Sequence, residues 1–279
     1  MQKKERIAIF FIGILMLTVF TFTDLQISTA LYTKNLFGRV FEVIGELPFV
    51  FLALFGSILF FRFRSRKNLA VNIVLAILSI LLSTLFLFMG GFMTLNYLRD
   101  NLGSVPTFVA VLLALALLSG TVLLAIKVPK EYAHRAVTYS IIAVVYFVLV
   151  IIIMNSLKAS WGRMRMREMT VPTMQFTRWF VITNRGGFDN IYASFPSGHS
   201  MNSAAIILLT LLPSFVPVLF GKEKLMRGIC YTWILLVGTS RVVMGAHFAS
   251  DVIVGIMLSL AIFEITRVVV CKLRHEEKV

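Results

Sequence analysis

The feature that most constrains this chain is a succession of apolar runs, each long enough or nearly so to cross about 30 Å of hydrocarbon as a helix. About eight such runs fall near 7–23, 47–61, 69–97, 105–127, 136–157, 200–220, 228–244 and 249–271. Inside a bilayer every backbone N–H and C=O must be satisfied within its own segment, so runs of this kind fold as helices. Composition points the same way: 58% of the 279 residues are hydrophobic, 14% are charged, and mean hydropathy is +0.89, outside the range of soluble domains. The expectation is an all-α, polytopic transmembrane helical bundle, one domain over 1–279, with N-terminal helices over 1–134 and a chemistry-bearing core over 135–271.

Local detail refines this outline. The first run follows Lys3, Lys4 and Arg6 like a signal-peptide core, but no small-residue cleavage site precedes Asp24, so it reads as a retained helix. The 24–46 connection has helical periodicity and reads as an amphipathic segment along the interface. The 69–97 run is long for one span and should tilt, protrude, or kink near Gly90 and Gly91. Cys230 and Cys271 form no spaced set, so neither a disulfide framework nor a metal site is indicated.

A net charge of +14 does not indicate a nucleic-acid partner here, because the basic residues sit in short loops between apolar runs, where topology explains them. With both termini cytoplasmic, the loops at 3–6, 62–67, 127–135, 222–227 and 267–278 hold most of the 27 Lys and Arg on the inside. Lys158, Arg163, Arg165, Arg167, Arg178, Arg185 and Arg241 break the pattern, in just two outer connections, 158–198 and 241–247. A breach so local calls for an anionic ligand on the outer face.

The chemistry-bearing residues fall on that same face. A phosphoryl group in transfer spreads negative charge over its oxygens and needs fixed cations and N–H donors; Lys158, Arg165 and Arg241 are candidate cations. Pro196-Ser197-Gly198 opens a helix and offers a hydroxyl and backbone N–H groups for an anion, so Ser197 and Gly198 are candidate phosphate binders. His247 and Asp251 stand four apart, so on a helix they share a face: the carboxylate orients the imidazole, and a neutral imidazole is a competent nucleophile. His199 is the natural general acid for the leaving oxygen. The other two histidines, His134 and His275, belong to expected inner loops. The outer acids Asp24, Glu42, Glu46, Asp100, Glu168, Asp189 and Asp251 are scattered, so no metal or other cofactor is expected.

Lys158 to Arg165, Pro196 to His199 and Ser240 to Asp251 together resemble the Lys-x6-Arg-Pro, Pro-Ser-Gly-His and Ser-Arg-x5-His-x3-Asp motifs of the type 2 phosphatidic acid phosphatase, or lipid phosphate phosphatase, superfamily. The resemblance covers about 158–251 and implies a metal-independent membrane phosphatase. It also implies a phosphohistidine at His247 oriented by Asp251, with His199 protonating the leaving group and Lys158, Arg165, Ser197, Gly198 and Arg241 binding phosphate. It implies six core helices, fewer than the runs counted above. Met166 replaces the motif proline, which should alter local rigidity while leaving phosphate binding intact.

The substrate class expected is a lipid phosphate or diphosphate, with undecaprenyl diphosphate, phosphatidylglycerophosphate and phosphatidic acid equally compatible, in a bacterial-type plasma membrane. Two rivals stay open: a lipid phosphotransferase using the same site, and a lipid-binding or transport protein without turnover. Arg163 and Arg167 read as cations that support the site from outside the matched motifs, and Trp161 and Trp179 as interface anchors. Arg178, Trp179, Asn184, Arg185 and Asp189 read as residues of an outer loop that either recognises a headgroup or is simply solvated, the solvated reading being favoured. Oligomeric state is not legible.

Overall fold

The computed structural model describes residues 3–185 and 189–276, and every regular element among them is helical. In chain order these are α1 (Lys3–Leu31), α2 (Leu36–Ile44), α3 (Leu47–Phe63), α4 (Leu69–Leu102), α5 (Phe108–Ile126), α6 (Ala133–Trp161), the short α7 (Pro172–Gln175), α8 (Gly198–Ser203, continued as a 3-10 stretch through Ala204–Ser214), α9 (Glu223–Val243) and α10 (Ala249–Leu273). The basic residue Lys278 lies outside the described residues.

Six stretches are long and apolar enough to cross a membrane: Lys4–Leu31, Leu36–Phe63, Leu69–Leu102, Phe108–Ile126, Lys130–Glu168 and Ala249–Leu273. The expected runs at 200–220 and 228–244 are helical but do not meet this length-and-apolarity measure. The first has only six α-helical residues before the 3-10 stretch. The second carries Glu223, Lys224, Arg227 and Arg241.

By compactness the chain forms two units, each built from three separate stretches: 1–45, 149–204 and 231–261 in one, and 46–148, 205–230 and 262–279 in the other. In the second unit α3 is buried almost all round. Gly90 and Gly91 of α4 serve packing: a Cβ on Gly90 would stand 2.7 Å from Val50 Cγ1, and one on Gly91 3.0 Å from the Ala110 carbonyl. Absent side chains therefore let α3 and α5 approach α4 closely, and the helix continues through the pair to Leu102.

The first unit holds every residue singled out for chemistry. Here α1 runs on to Leu31, past the expected stop at Asp24, because the Asp24 charge is buried against a cation instead of facing the interface. The connection after it is amphipathic, as its periodicity requires, but its role differs from that of a surface segment. Asn35 caps α2 by accepting the Gly38 N–H at 3.0 Å, and the face bearing Gly38 and Glu42 is buried. Gly38 lies where a Cβ would meet Met244 Sδ at 2.6 Å, so α2 packs directly against the turn that precedes His247.

Candidate active site

The three motifs are tied together first by backbone. Helix α6 ends at Trp161, and Gly162 turns the chain out of it with φ +68°, a conformation glycine adopts without steric cost. The strand-like pairing that follows sets register: Ser194 N–H donates to the Arg163 carbonyl at 3.0 Å and Arg165 N–H to Ile191 at 3.0 Å. Ser197 N–H donates to the Asp251 carbonyl at 3.1 Å, which joins the Pro-Ser-Gly turn to α10. That contact needs Gly255, since a Cβ there would sit 2.8 Å from the Ser197 carbonyl oxygen. The Phe195-Pro196 bond is cis.

The cations sit along these ties. Lys158 Nζ donates to the Ala193 carbonyl at 2.7 Å and Arg165 Nη2 to Asn190 Oδ1 at 2.6 Å. Arg241 is buried, donating to Glu42 Oε1 at 3.2 Å and to the Gly38 carbonyl at 3.3 Å. Ser197 caps α8: its hydroxyl accepts the Ser200 N–H at 3.3 Å and lies 2.8 Å from the Ser200 hydroxyl. Because the regular part of α8 is six residues long, this turn offers N–H groups more than a helix dipole. Gly198 brings its backbone beside Lys158, where a Cβ would lie 3.5 Å from Cε.

His247 is 3% exposed, in the turn between α9 and α10, and its Nδ1–H donates to the Ser194 carbonyl at 2.5 Å. This fixes the tautomer and leaves the lone pair on Nε2. Asp251 does not fill the expected place on Nδ1. Its Oδ2 accepts the Ser194 hydroxyl at 2.6 Å and the Phe248 N–H at 2.9 Å, and its Oδ1 accepts Arg163 Nη1 at 2.5 Å. Asp251 thus orients the imidazole through Ser194. Burial, with Lys158 and Arg165 next in weight, pushes the His247 pKa well below the ordinary histidine value, so the ring stays neutral. His199 is buried too, Nε2–H donating to the Glu42 carbonyl at 3.1 Å, and the same three cations act on it electrostatically.

Sequence reasoning missed two participants, Asp24 and Glu42, and offered a third, Arg163, only as a cation supporting the matched residues. Arg163 is fully buried. It donates to Asp251, to Asp24 Oδ2 at 3.0 Å and to the Thr177 carbonyl at 2.9 Å, under the Phe248 ring at 4.2 Å. Asp24 and Glu42, which looked scattered, lie in the same assembly. Glu42 bridges Arg241 and, at 3.6 Å, Arg167. No local signal marks either acid, because their partners lie more than a hundred residues away in sequence. Trp161 and Trp179 are not simply anchors: their rings stack on Phe195, with centroids 4.5 Å and 6.2 Å away, and support the Pro-Ser-Gly turn. Asp189 caps a local turn by accepting the Ile191 N–H at 2.9 Å; Arg178, Asn184 and Arg185 are exposed, as a solvated loop should be.

Fold and site together define a polytopic all-α protein that sets two imidazoles within the field of three fixed cations. Residues 139–274, a stretch that contains all three motifs, match the PAP2 superfamily. Phosphatidylglycerophosphatase B of Bacillus subtilis (strain 168) is 42% identical over 72 residues, 25% of this chain. The match spans only 36% of that protein's length. No solved structure matches the chain. Asp24 and Glu42 lie before the stretch that carries the family resemblance.

Proposed function

We propose that this protein hydrolyses a terminal phosphate from a membrane lipid phosphate or diphosphate, with His247 as nucleophile. The observation that carries this reading is the His247 ring, buried and held through Nδ1 on Ser194, so that Nε2 presents a lone pair in the field of Lys158, Arg165 and Arg241. Nε2 attacks phosphorus, the bond to the lipid oxygen breaks, and that oxygen takes a proton from His199. Burial and the nearby cations keep the free His199 ring neutral, with its proton on Nε2 engaged by the Glu42 carbonyl. The bound phosphate dianion supplies the counter-charge that lets His199 take up a second proton at Nδ1, and this is the proton passed to the leaving oxygen. Water then attacks the phosphohistidine, gives its proton to His199, and releases inorganic phosphate and neutral His247. Lys158, Arg165, Arg241, Ser197 and the Gly198 N–H hold the equatorial oxygens, whose charge they offset without a metal.

The Bacillus subtilis relative bears the name phosphatidylglycerophosphatase B, which favours phosphatidylglycerophosphate over phosphatidic acid and undecaprenyl diphosphate. The local breach of the positive-inside pattern supports an extracytoplasmic site in a bacterial plasma membrane, with both termini cytoplasmic. The test is phosphate release by purified protein, in detergent with chelator, from these three lipids beside His247→Ala and His199→Ala. Release by wild type and its loss in His247→Ala is expected. Undiminished release by His247→Ala overturns the nucleophile, and a chelator-sensitive rate overturns metal independence. A reporter fused after Val279 that reads outside contradicts the topology.

A further inference from the structure

The first residue of α10 is Ala249, so Phe248 stands at its cap position. Helix N-termini leave N–H groups that a Ser, Thr, Asp or Asn cap normally accepts, and phenylalanine has no acceptor. Asp24, on α1, takes over: its Oδ1 accepts the Ser250 N–H at 2.9 Å and its Oδ2 accepts the Ser250 hydroxyl. The same carboxylate receives Arg163 Nη2 at 3.0 Å, while Arg163 Nη1 reaches Asp251 and the Ser250 hydroxyl at 2.9 Å. Asp251 turns back onto the Phe248 N–H, the reciprocal half of a capping box. Asp24, Arg163, Ser250 and Asp251 are all at most 2% exposed, so the Arg163 charge, set between the two carboxylates, is answered inside the protein and not by water.

We propose that Asp24 is a positioning residue for the nucleophile, supplied by a helix outside the family-matched stretch. It caps α10 in place of Phe248 and fixes the guanidinium that holds Asp251, which sets Ser194 and, through the Ser194 carbonyl, the Nδ1–H of His247. One consequence is that the N-terminal helix is part of the catalytic unit. A carboxamide at position 24 keeps the shape and one acceptor but removes the charge facing Arg163, which then swings toward Asp251 and drags Ser194 with it. Misplacing a reacting group by about 1 Å costs on the order of 100-fold in rate.

The inference rests on the phosphatase reading, so its test has one arm that needs no turnover. Full-length wild type, Asp24→Asn and Asp24→Glu are compared in detergent for kcat and KM on phosphatidylglycerophosphate. The downfield Nδ1–H proton resonance, assigned by its loss in His247→Ala, is recorded for each. Asp24→Asn should lose kcat on the order of 100-fold with KM little changed and shift the resonance, while the charge-retaining Asp24→Glu recovers part of both. Wild-type kcat and an unmoved resonance in Asp24→Asn overturn the proposal, as does a change confined to KM. Equal losses in both variants overturn the claim that charge does the positioning. If wild type releases no phosphate from any lipid while Asp24→Asn still moves the resonance, the phosphatase reading fails and the positioning role stands.

Discussion

Ser194 stands between Asp251 and His247: its hydroxyl donates to Asp251 Oδ2 at 2.6 Å, and its carbonyl accepts the His247 Nδ1–H at 2.5 Å. The acid therefore sets the imidazole through a backbone group that no side-chain substitution at 194 removes. Ser194→Ala is predicted to keep the carbonyl, lower kcat by roughly tenfold, about 1.4 kcal/mol of barrier, and leave KM unchanged. Asp251→Asn, which also weakens the grip on Arg163 and on the start of α10, is predicted to cost more. Steady-state phosphate release checks the order, and equal effects would contradict the relay.

The pH dependence follows from the lowered His247 pKa. The reactive form is the neutral ring, and burial with Lys158 and Arg165 disfavours its protonation. As pH falls, the acid limb of kcat/KM is therefore expected below 6.5, the ordinary histidine value. Removing a cation raises the pKa, so Lys158→Gln should move the limb to higher pH as well as weaken binding. A pH–rate profile that stays in place in this variant would contradict the electrostatic account.

Gly255 is predicted to be intolerant of a methyl group. The added Cβ meets the Ser197 carbonyl at 2.8 Å, so either α10 retreats or the Pro-Ser-Gly turn shifts. Gly255→Ala should cost about 1–3 kcal/mol of stability, as overpacking does, and activity should fall with it. Gly198→Ala finds its nearest neighbours in side chains, Met154 Sδ at 3.1 Å and the flexible Lys158 chain from 3.5 Å, and should be milder. Thermal melting in detergent compares them.

Met166 occupies the position of the motif proline. Arg165 just before it is extended, φ −75° and ψ 143°, the conformation a following proline favours. Met166 itself opens the 3-10 turn Met166–Glu168, where its N–H has no partner within the turn. The backbone keeps the shape without the ring. Met166→Pro is predicted to fold with unchanged kcat/KM, gaining about 0.4–1 kcal/mol through the unfolded chain less what is lost with the buried thioether. A kcat/KM lower by about tenfold would show that methionine there has a role of its own.

Helix existence and the motif residues were legible because each rests on local pattern: apolar length, the four-residue step from His247 to Asp251, the Pro-Ser-Gly turn. The rest depends on who meets whom. Asp24 read as a helix stop because a charge at that point ordinarily belongs at the interface, and only Arg163, far along the chain, reverses that. Arg163 and Arg165 are two residues apart and chemically identical in sequence. Arg163 is fully buried between two carboxylates, whereas Arg165 reaches Asn190. Glu42 lies on the buried face of a segment whose helical periodicity is legible in the sequence, whereas its partner Arg241, 199 residues away, is not.

The central claim is a covalent phosphate on His247, and rapid quenching during turnover tests it most directly. Wild-type protein mixed with phosphate-labelled lipid and stopped in base should carry acid-labile label on a peptide containing His247, and His247→Ala should carry none. Label-free protein releasing phosphate at full rate, or label surviving in His247→Ala, would contradict the account.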